Sequence, residues 1–133
     1  MMNTNHSALS PLHEEIGKKI VDCAYKVHTR LGPGLLETVY EACFCYELQK
    51  HGLTFERQVS VPVVYDGLKF GAAFRLDVLV ENQVICELKA VDLMLPIFHS
   101  QLLSYMRLLN KRLGYLINFH TPLIRDGIKR IIL

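Results

Sequence analysis

Val84-Ile85-Cys86-Glu87-Leu88-Lys89-Ala90-Val91 reads as a β-strand of apolar residues that nevertheless carries a carboxylate and an ammonium two positions apart. Side chains alternate across a strand, so Glu87 and Lys89 share one face while Cys86, Leu88 and Ala90 share the other. A buried charge costs several kcal/mol unless it is paired, hydrogen-bonded or bound to a metal. A strand that keeps two such groups in an apolar run is therefore the place to look for chemistry.

Working outward, residues 74–80 form a second strand candidate, and Glu81-Asn82-Gln83 is the polar break before residue 84. Read as a three-residue hairpin loop, the break sets Val80 opposite Val84 and Asp77 opposite Glu87. Opposed residues of an antiparallel pair share a face, with Cβ atoms roughly 4.5–5.5 Å apart. A loop one residue shorter or longer sends Asp77 to the other face. In the first register Asp77, Glu87 and Lys89 form one cluster. Two carboxylates that close repel unless one is protonated or a cation lies between them. Hard oxygen ligands favour Mg2+ or Mn2+ over zinc.

The 133 residues fit one domain, 50% hydrophobic and 21% charged, which is ordinary for a globular protein. No apolar run approaches the ~20 residues of a membrane span and the start lacks a secretory signal pattern, so a cytoplasmic location is expected. A net charge of +2 is too small to argue for nucleic acid alone. Local clusters, Arg107 with Lys111 and Arg112, and Arg125 with Lys129 and Arg130, could line a phosphate-binding surface or simply be solvated helix ends. Cys23, Cys43, Cys45 and Cys86 sit in apolar patterns and read as buried thiols. The six histidines show no metal-ligand spacing.

Residues 1–12 read as a flexible polar leader and 13–133 as a single domain. Helical spacing of Ile16, Ile20, Val21, Ala24 and Val27 predicts a helix over residues 14–30, stopped by Gly32-Pro33-Gly34. A second helix is expected over residues 35–50, burying Leu36, Val39, Tyr40, Cys43 and Leu48. Residues 54–59 and 61–65 read as strands, with Pro62 implying an edge or a bulge. Asp66-Gly67 marks a two-residue hairpin turn leading to Leu68-Lys69-Phe70. After the Asp77 and Glu87 strands come a helix over residues 95–110, with Leu102, Leu103, Met106 and Leu109 inward, a strand over 112–119 and a final strand over 128–133. The order α-α-β-β-β-β-α-β-β describes an α+β domain, a central mixed sheet flanked by helices.

Asp77, nine intervening residues, then Glu87-Leu88-Lys89 resembles the D…(D/E)xK core of the PD-(D/E)xK nuclease superfamily. Gly34-Leu35-Leu36-Glu37-Thr38-Val39-Tyr40 matches the name-giving motif of the bacterial and archaeal GxxExxY family, placed in that superfamily. Phe55-Glu56-Arg57-Gln58, Glu87 to Val91, Gln101-Leu102-Leu103-Ser104-Tyr105 and Leu116-Ile117-Asn118-Phe119 are similar to the same family, so the resemblance runs over nearly everything from Glu14 onward. It departs at Leu76, where the superfamily's proline is expected.

The resemblance implies a restriction-endonuclease-like core and a Mg2+- or Mn2+-dependent hydrolase of nucleic acid, with DNA the expected substrate. Asp77, Glu87 and the backbone carbonyl of Leu88 would hold the metal, with Glu37 completing the site, directly or through water. Lys89 would orient the attacking water and Gln101 would assist; Tyr40 and Tyr105 are supporting candidates. Each has a plainer rival. Glu37 could cap its helix, Tyr40 could pack, Gln101 could satisfy a local hydrogen bond, and Glu87 with Lys89 could be a structural ion pair. The alternative function is a nuclease-fold module that binds nucleic acid or a protein without useful turnover. A homodimer is compatible with an open sheet edge.

Overall fold

The computed structural model describes residues 9–133. The first helix, α1 (Pro11–Leu31), is capped by Ser10, whose hydroxyl accepts from the His13 amide, with proline in the first turn where its missing N–H costs nothing. The helix thus starts inside the stretch read as leader, whose residues 1–8 lie outside the described part. Its inward stripe, Ile16, Ile20, Cys23, Ala24 and Val27, is buried as the spacing predicts.

Helix α2 (Glu37–Lys50) begins two residues later than expected, with Leu36 as an N-cap that offers no side-chain cap. Leu36 is 73% exposed and Val39 is also exposed, against the burial expected of both. Leu36 falls before the helix, and packing of Tyr40 on Phe119 turns α2 so that its buried stripe is Tyr40, Glu41, Phe44, Cys45, Glu47 and Leu48, with Val39 outside. Two carboxylate positions, Glu41 and Glu47, fall inside that stripe.

Five strands rather than six follow: β1 (Phe55–Tyr65), β2 (Leu68–Val80), β3 (Val84–Lys89), β4 (Leu113–Asn118) and β5 (Ile128–Ile132), with helix α3 (Pro96–Leu109) between β3 and β4. The four strands expected before α3 merge into three. Pro62 lies at a register shift between Val61 and Val63, so it bulges the strand without ending it. The sheet order is β1-β2-β3-β4-β5, antiparallel except for the parallel β3–β4 pair that α3 connects. Helices α1 and α2 cover one face through Val78, Val80, Cys86, Leu88, Tyr115 and Ile117. Helix α3 covers the other, through Leu102, Tyr105 and Met106 against Leu76, Ile85 and Leu116. Among the described residues no helix is long and apolar enough to cross a membrane.

One irregularity positions everything that follows. β2 pairs with β3 only over Val78, Leu79 and Val80. Leu76 packs on the α3 face while Val78 and Val80 pack on the opposite one, although all three share a parity. Phe55 and Val59 on β1 switch in the same way. At the crossing point Gln58 adopts φ 52°, a left-handed backbone uncommon for a residue with a side chain. The β1–β2 ribbon therefore turns over at Gln58 and Asp77 and splays away from β3.

Candidate active site

The three-residue loop sets Val80 against Val84 and Val78 against Cys86, the register that brings Asp77 alongside Glu87. Because the strands separate there, the ladder is replaced by side chains. The Asp77 amide donates to Glu87 Oε2 at 2.9 Å, and the Leu88 amide donates to Asp77 Oδ2 at 2.8 Å. Each carboxylate thus satisfies a backbone N–H that the splay would leave bare. The two carboxyl groups also meet side chain to side chain.

Burial and the facing Asp77 charge push the Glu87 carboxyl up to about 9, against the Asp77 amide and the Lys89 charge, which pull it down. Near neutral pH a proton, or a cation in its place, belongs between these two groups. Glu37, at the first position of α2, faces the end of β3, where the Ala90 amide favours its ionised form. Partial burial raises its carboxyl; Lys89 and the Ala90 amide oppose this, and Asp77 and Glu41 add to it. The first turn of α2 and the end of β3 thus converge on one electrostatic field.

Lys89 shares that field, yet none of the described ion pairs joins it to a carboxylate. Its ammonium sits 4.4 Å from the Phe98 ring centre, a cation–π seat on α3. Tyr105, on the same helix, is buried, and burial plus the Glu87 and Asp77 charges push its hydroxyl up, placing it within reach of the pair's field. Gln101 stands on the exposed side of α3, and among the described residues no hydrogen bond ties it to Asp77, Glu87 or Lys89. Tyr40 is fully buried and acts on the loop before α2: its hydroxyl donates to the Gly32 carbonyl at 2.6 Å and accepts from the Leu35 amide at 3.1 Å. Its ring stacks on Phe119 at 4.7 Å.

Three further residues take part in the site without having been assigned a role from the sequence. Glu41, one turn beyond Glu37, is buried, ion-paired to Arg57 at 3.0 Å and bonded by Gln58 Nε2 at 2.9 Å. The same Gln58 nitrogen lies 3.4 Å from Asp77 Oδ1, so Gln58 bridges the α2 carboxylate to the strand carboxylate. Asn118, at the end of β4, accepts from the Val91 and His120 amides and donates to the Val91 carbonyl, while the Phe119 amide donates to Lys89 O. It fixes the chain just past Lys89. The signal for Glu41 was its i+4 spacing from Glu37 on one helix face; Gln58 and Asn118 stood inside segments similar to the family but were given no role.

A match of residues 14–131 to the family model of the PD-(D/E)XK nuclease superfamily decides the family. The chain belongs to this nuclease superfamily. Comparison with curated proteins and with solved structures finds no match. The helices-sheet-helix layering seen here is consistent with that superfamily's fold, and Asp77, Glu87 and Lys89 lie where β2 splays away from the central strand β3.

The donor set suits a hard divalent cation. Mg2+ commonly takes one or two carboxylates and keeps its waters, and two convergent carboxylates are what the splay presents. No group of three metal-ligating side chains gathers among the described residues. Cys23, Cys45 and Cys86 are buried, with thiols that burial pushes up, to about 12 for the first two, so they are poor ligands; Cys43 is half-buried. The basic clusters are partly spent internally: Arg130 pairs with Glu14 at 2.7 Å and Arg112 donates to the Leu133 carbonyl.

Proposed function

We propose that the chain is a metal-dependent nuclease of the GxxExxY type that hydrolyses phosphodiester bonds, in DNA by preference, with Mg2+ or Mn2+ as cofactor. The crossed anchoring of Asp77 and Glu87 carries the reading: two carboxylates held face to face by backbone amides, one well above its ordinary pKa. A purely structural pair gains nothing from that repulsion, whereas a cation site needs it.

Asp77, Glu87 and the Leu88 carbonyl would hold the cation, with Glu37 joining through water. When bound, the cation supplies Lewis acidity at the phosphate and a lowered pKa to water. The chain's own part is placement and charge. The amides of Asp77 and Leu88 fix the two carboxylates, and Gln58 holds Asp77 and Glu41 in relation to each other. Lys89 has a flexible four-carbon stem, so its ammonium can leave the Phe98 ring to orient water and meet charge developing on the phosphate.

The test is incubation of the purified chain with labelled single-stranded, duplex and branched DNA and with RNA, in MgCl2, MnCl2 or EDTA. Cleavage is expected with metal and lost with EDTA, with Glu87→Gln and with Lys89→Met. Cleavage that persists in both variants rejects this centre, and binding without cleavage in every metal leaves the protein a nucleic-acid-binding module.

A further inference from the structure

Between the ribbon and α3 lies a groove of about 340 Å3 lined by Phe74 from the ribbon and by Ile97, Ser100, Gln101, Ser104, Tyr105 and Leu108 from α3. Phe74 comes from β2 three residues before Asp77, and its ring faces Tyr105 with centroids 6.4 Å apart and planes inclined by 50°. Phe74, Ile97 and Leu108 are about half exposed, so the groove is open and apolar. No charged side chain lines it. Tyr105 forms its inner wall, and Phe74 stands three residues before Asp77 on β2, roughly 10 Å along the strand, so the groove lies beside the candidate active site.

We infer that this groove is a nucleobase subsite beside the scissile phosphate, taking one unpaired base of a single-stranded or flapped substrate. This rests on the nuclease reading above. Two aromatic rings, aliphatic walls and polar groups from Gln101, Ser100, Ser104 and Tyr105 suit a neutral, flat, hydrogen-bonding ring system. The sugar-phosphate backbone is excluded by the absence of any cation in the lining, and it belongs instead over Lys89 and the carboxylates. The volume is at the small end of ligand pockets, roughly 300–1,000 Å3, suited to one base or nucleoside. A stable dimer seated here would need roughly 800 Å2 from each partner, far more than the groove offers. A base within a duplex is stacked on both faces, so it can enter only when unpaired or flipped. The ribbon's turn-over at Gln58 and Asp77 brings Phe74 to this position, and thus ties the subsite to the irregularity that builds the carboxylate pair.

The experiment measures equilibrium binding of a fluorescent single-stranded 12-mer in CaCl2, by anisotropy, for the wild type, Phe74→Ala and Phe74→Tyr. The same measurement uses an oligonucleotide with abasic positions, and sedimentation gives the association state. Phe74→Ala, at an exposed ribbon position that should not affect folding, is expected to weaken binding about tenfold to a hundredfold, with Phe74→Tyr restoring it. Abasic DNA should bind the wild type with the same loss, and Phe74→Ala should cost it little more. Equal binding of the 12-mer by wild type and Phe74→Ala, or of abasic and intact DNA by wild type, overturns the subsite. So does a wild-type dimer that Phe74→Ala dissociates, since the groove then belongs to a second copy. If metal-dependent cleavage needing Glu87 persists in any of these cases, the nuclease reading stands and only the subsite falls; a wild type that neither binds nor cleaves any nucleic acid ends both.

Discussion

Glu87→Gln is expected to stabilise the metal-free protein while abolishing its response to metal. The carboxamide keeps an oxygen for the Asp77 amide, and its NH2 can donate to the Asp77 carboxylate in place of a shared proton. In the wild type the folded-state pKa of Glu87, about 9, lies above the ordinary 4.5. A carboxyl shifted in that direction contributes stability that is present below the unfolded value and lost as pH rises through the folded one. At pH 7 folding must put a proton on a group whose ordinary value is 4.5, and at about 1.4 kcal/mol per pH unit this costs about 3 kcal/mol. Glutamine carries no such cost, so the variant should exceed the wild type by about 3 kcal/mol at pH 7, or about 10 °C in Tm. The gap should close near pH 4 and widen toward pH 9. Saturating MnCl2, at about a hundred times Kd, should raise the wild type by about 2.7 kcal/mol and the variant by little. Urea and thermal melts from pH 4 to 9, in EDTA and then in Mn2+, measure both effects. A variant no more stable than wild type at pH 7, or a gap independent of pH, refutes the reasoning.

Gln58→Gly puts at φ 52° the residue that suits it, so stability should stay within about 1 kcal/mol of wild type, while loss of the bridge between Asp77 and Glu41 should weaken Mn2+ binding about tenfold in calorimetry; unchanged affinity would show that the bridge does not position Asp77. Asp77→Asn keeps an acceptor for the buried Leu88 amide, whereas Asp77→Ala orphans it, so urea melts in EDTA should show alanine costing about 1–3 kcal/mol more than asparagine; equal melts would mean that Leu88 finds another partner. Tyr40→Phe retains the stack on Phe119 but releases the Gly32 carbonyl and the Leu35 amide, for an expected loss of about 1–2 kcal/mol. A neutral melt would instead assign the whole effect of Tyr40 to its ring. Among the four thiols Cys43 should react first with a disulfide reagent at pH 8, since the others are buried and their thiols raised; mass mapping that finds Cys86 first contradicts the fold.

Most of the fold was legible because its elements obey local rules. The apolar stripe of α1, the glycine-rich stop after it and the Asp66-Gly67 turn are each decided within a few residues. The pairing of Asp77 with Glu87 was legible for the same reason, since a three-residue loop fixes a register by counting. What resisted reading was long-range. Leu36 and Val39 carry the residue type of a core position, and only the tertiary placement of α2, set by Tyr40 against Phe119, leaves them outside. Glu41 looks like a surface glutamate in its own helix; it is buried because Arg57 and Gln58 arrive from a strand sixteen and seventeen positions away. The clamp of Asn118 on Val91 spans 27 positions and has no local trace.

The splay between β2 and β3 explains why chemistry can reside in so apolar a strand. Had the ladder continued past Val78, the Asp77 and Leu88 amides would have been paired by backbone, and charged side chains there would have had only their desolvation cost. The ribbon's turn-over removes those backbone partners and creates two buried donors that need acceptors. The two carboxyl groups meet that need, with bonds of 2.9 Å from the Asp77 amide to Glu87 and 2.8 Å from the Leu88 amide to Asp77. Having been recruited by the backbone, they are rigid before any cation arrives, and the ordering that a flexible pair would lose on binding is already done by the fold. The left-handed Gln58 that permits the turn-over also supplies the amide that bridges Glu41 to Asp77. Backbone strain, acid pairing and the apolar groove beside Phe74 are therefore consequences of one departure from sheet geometry, and a substitution that straightens the ribbon should disturb all three together.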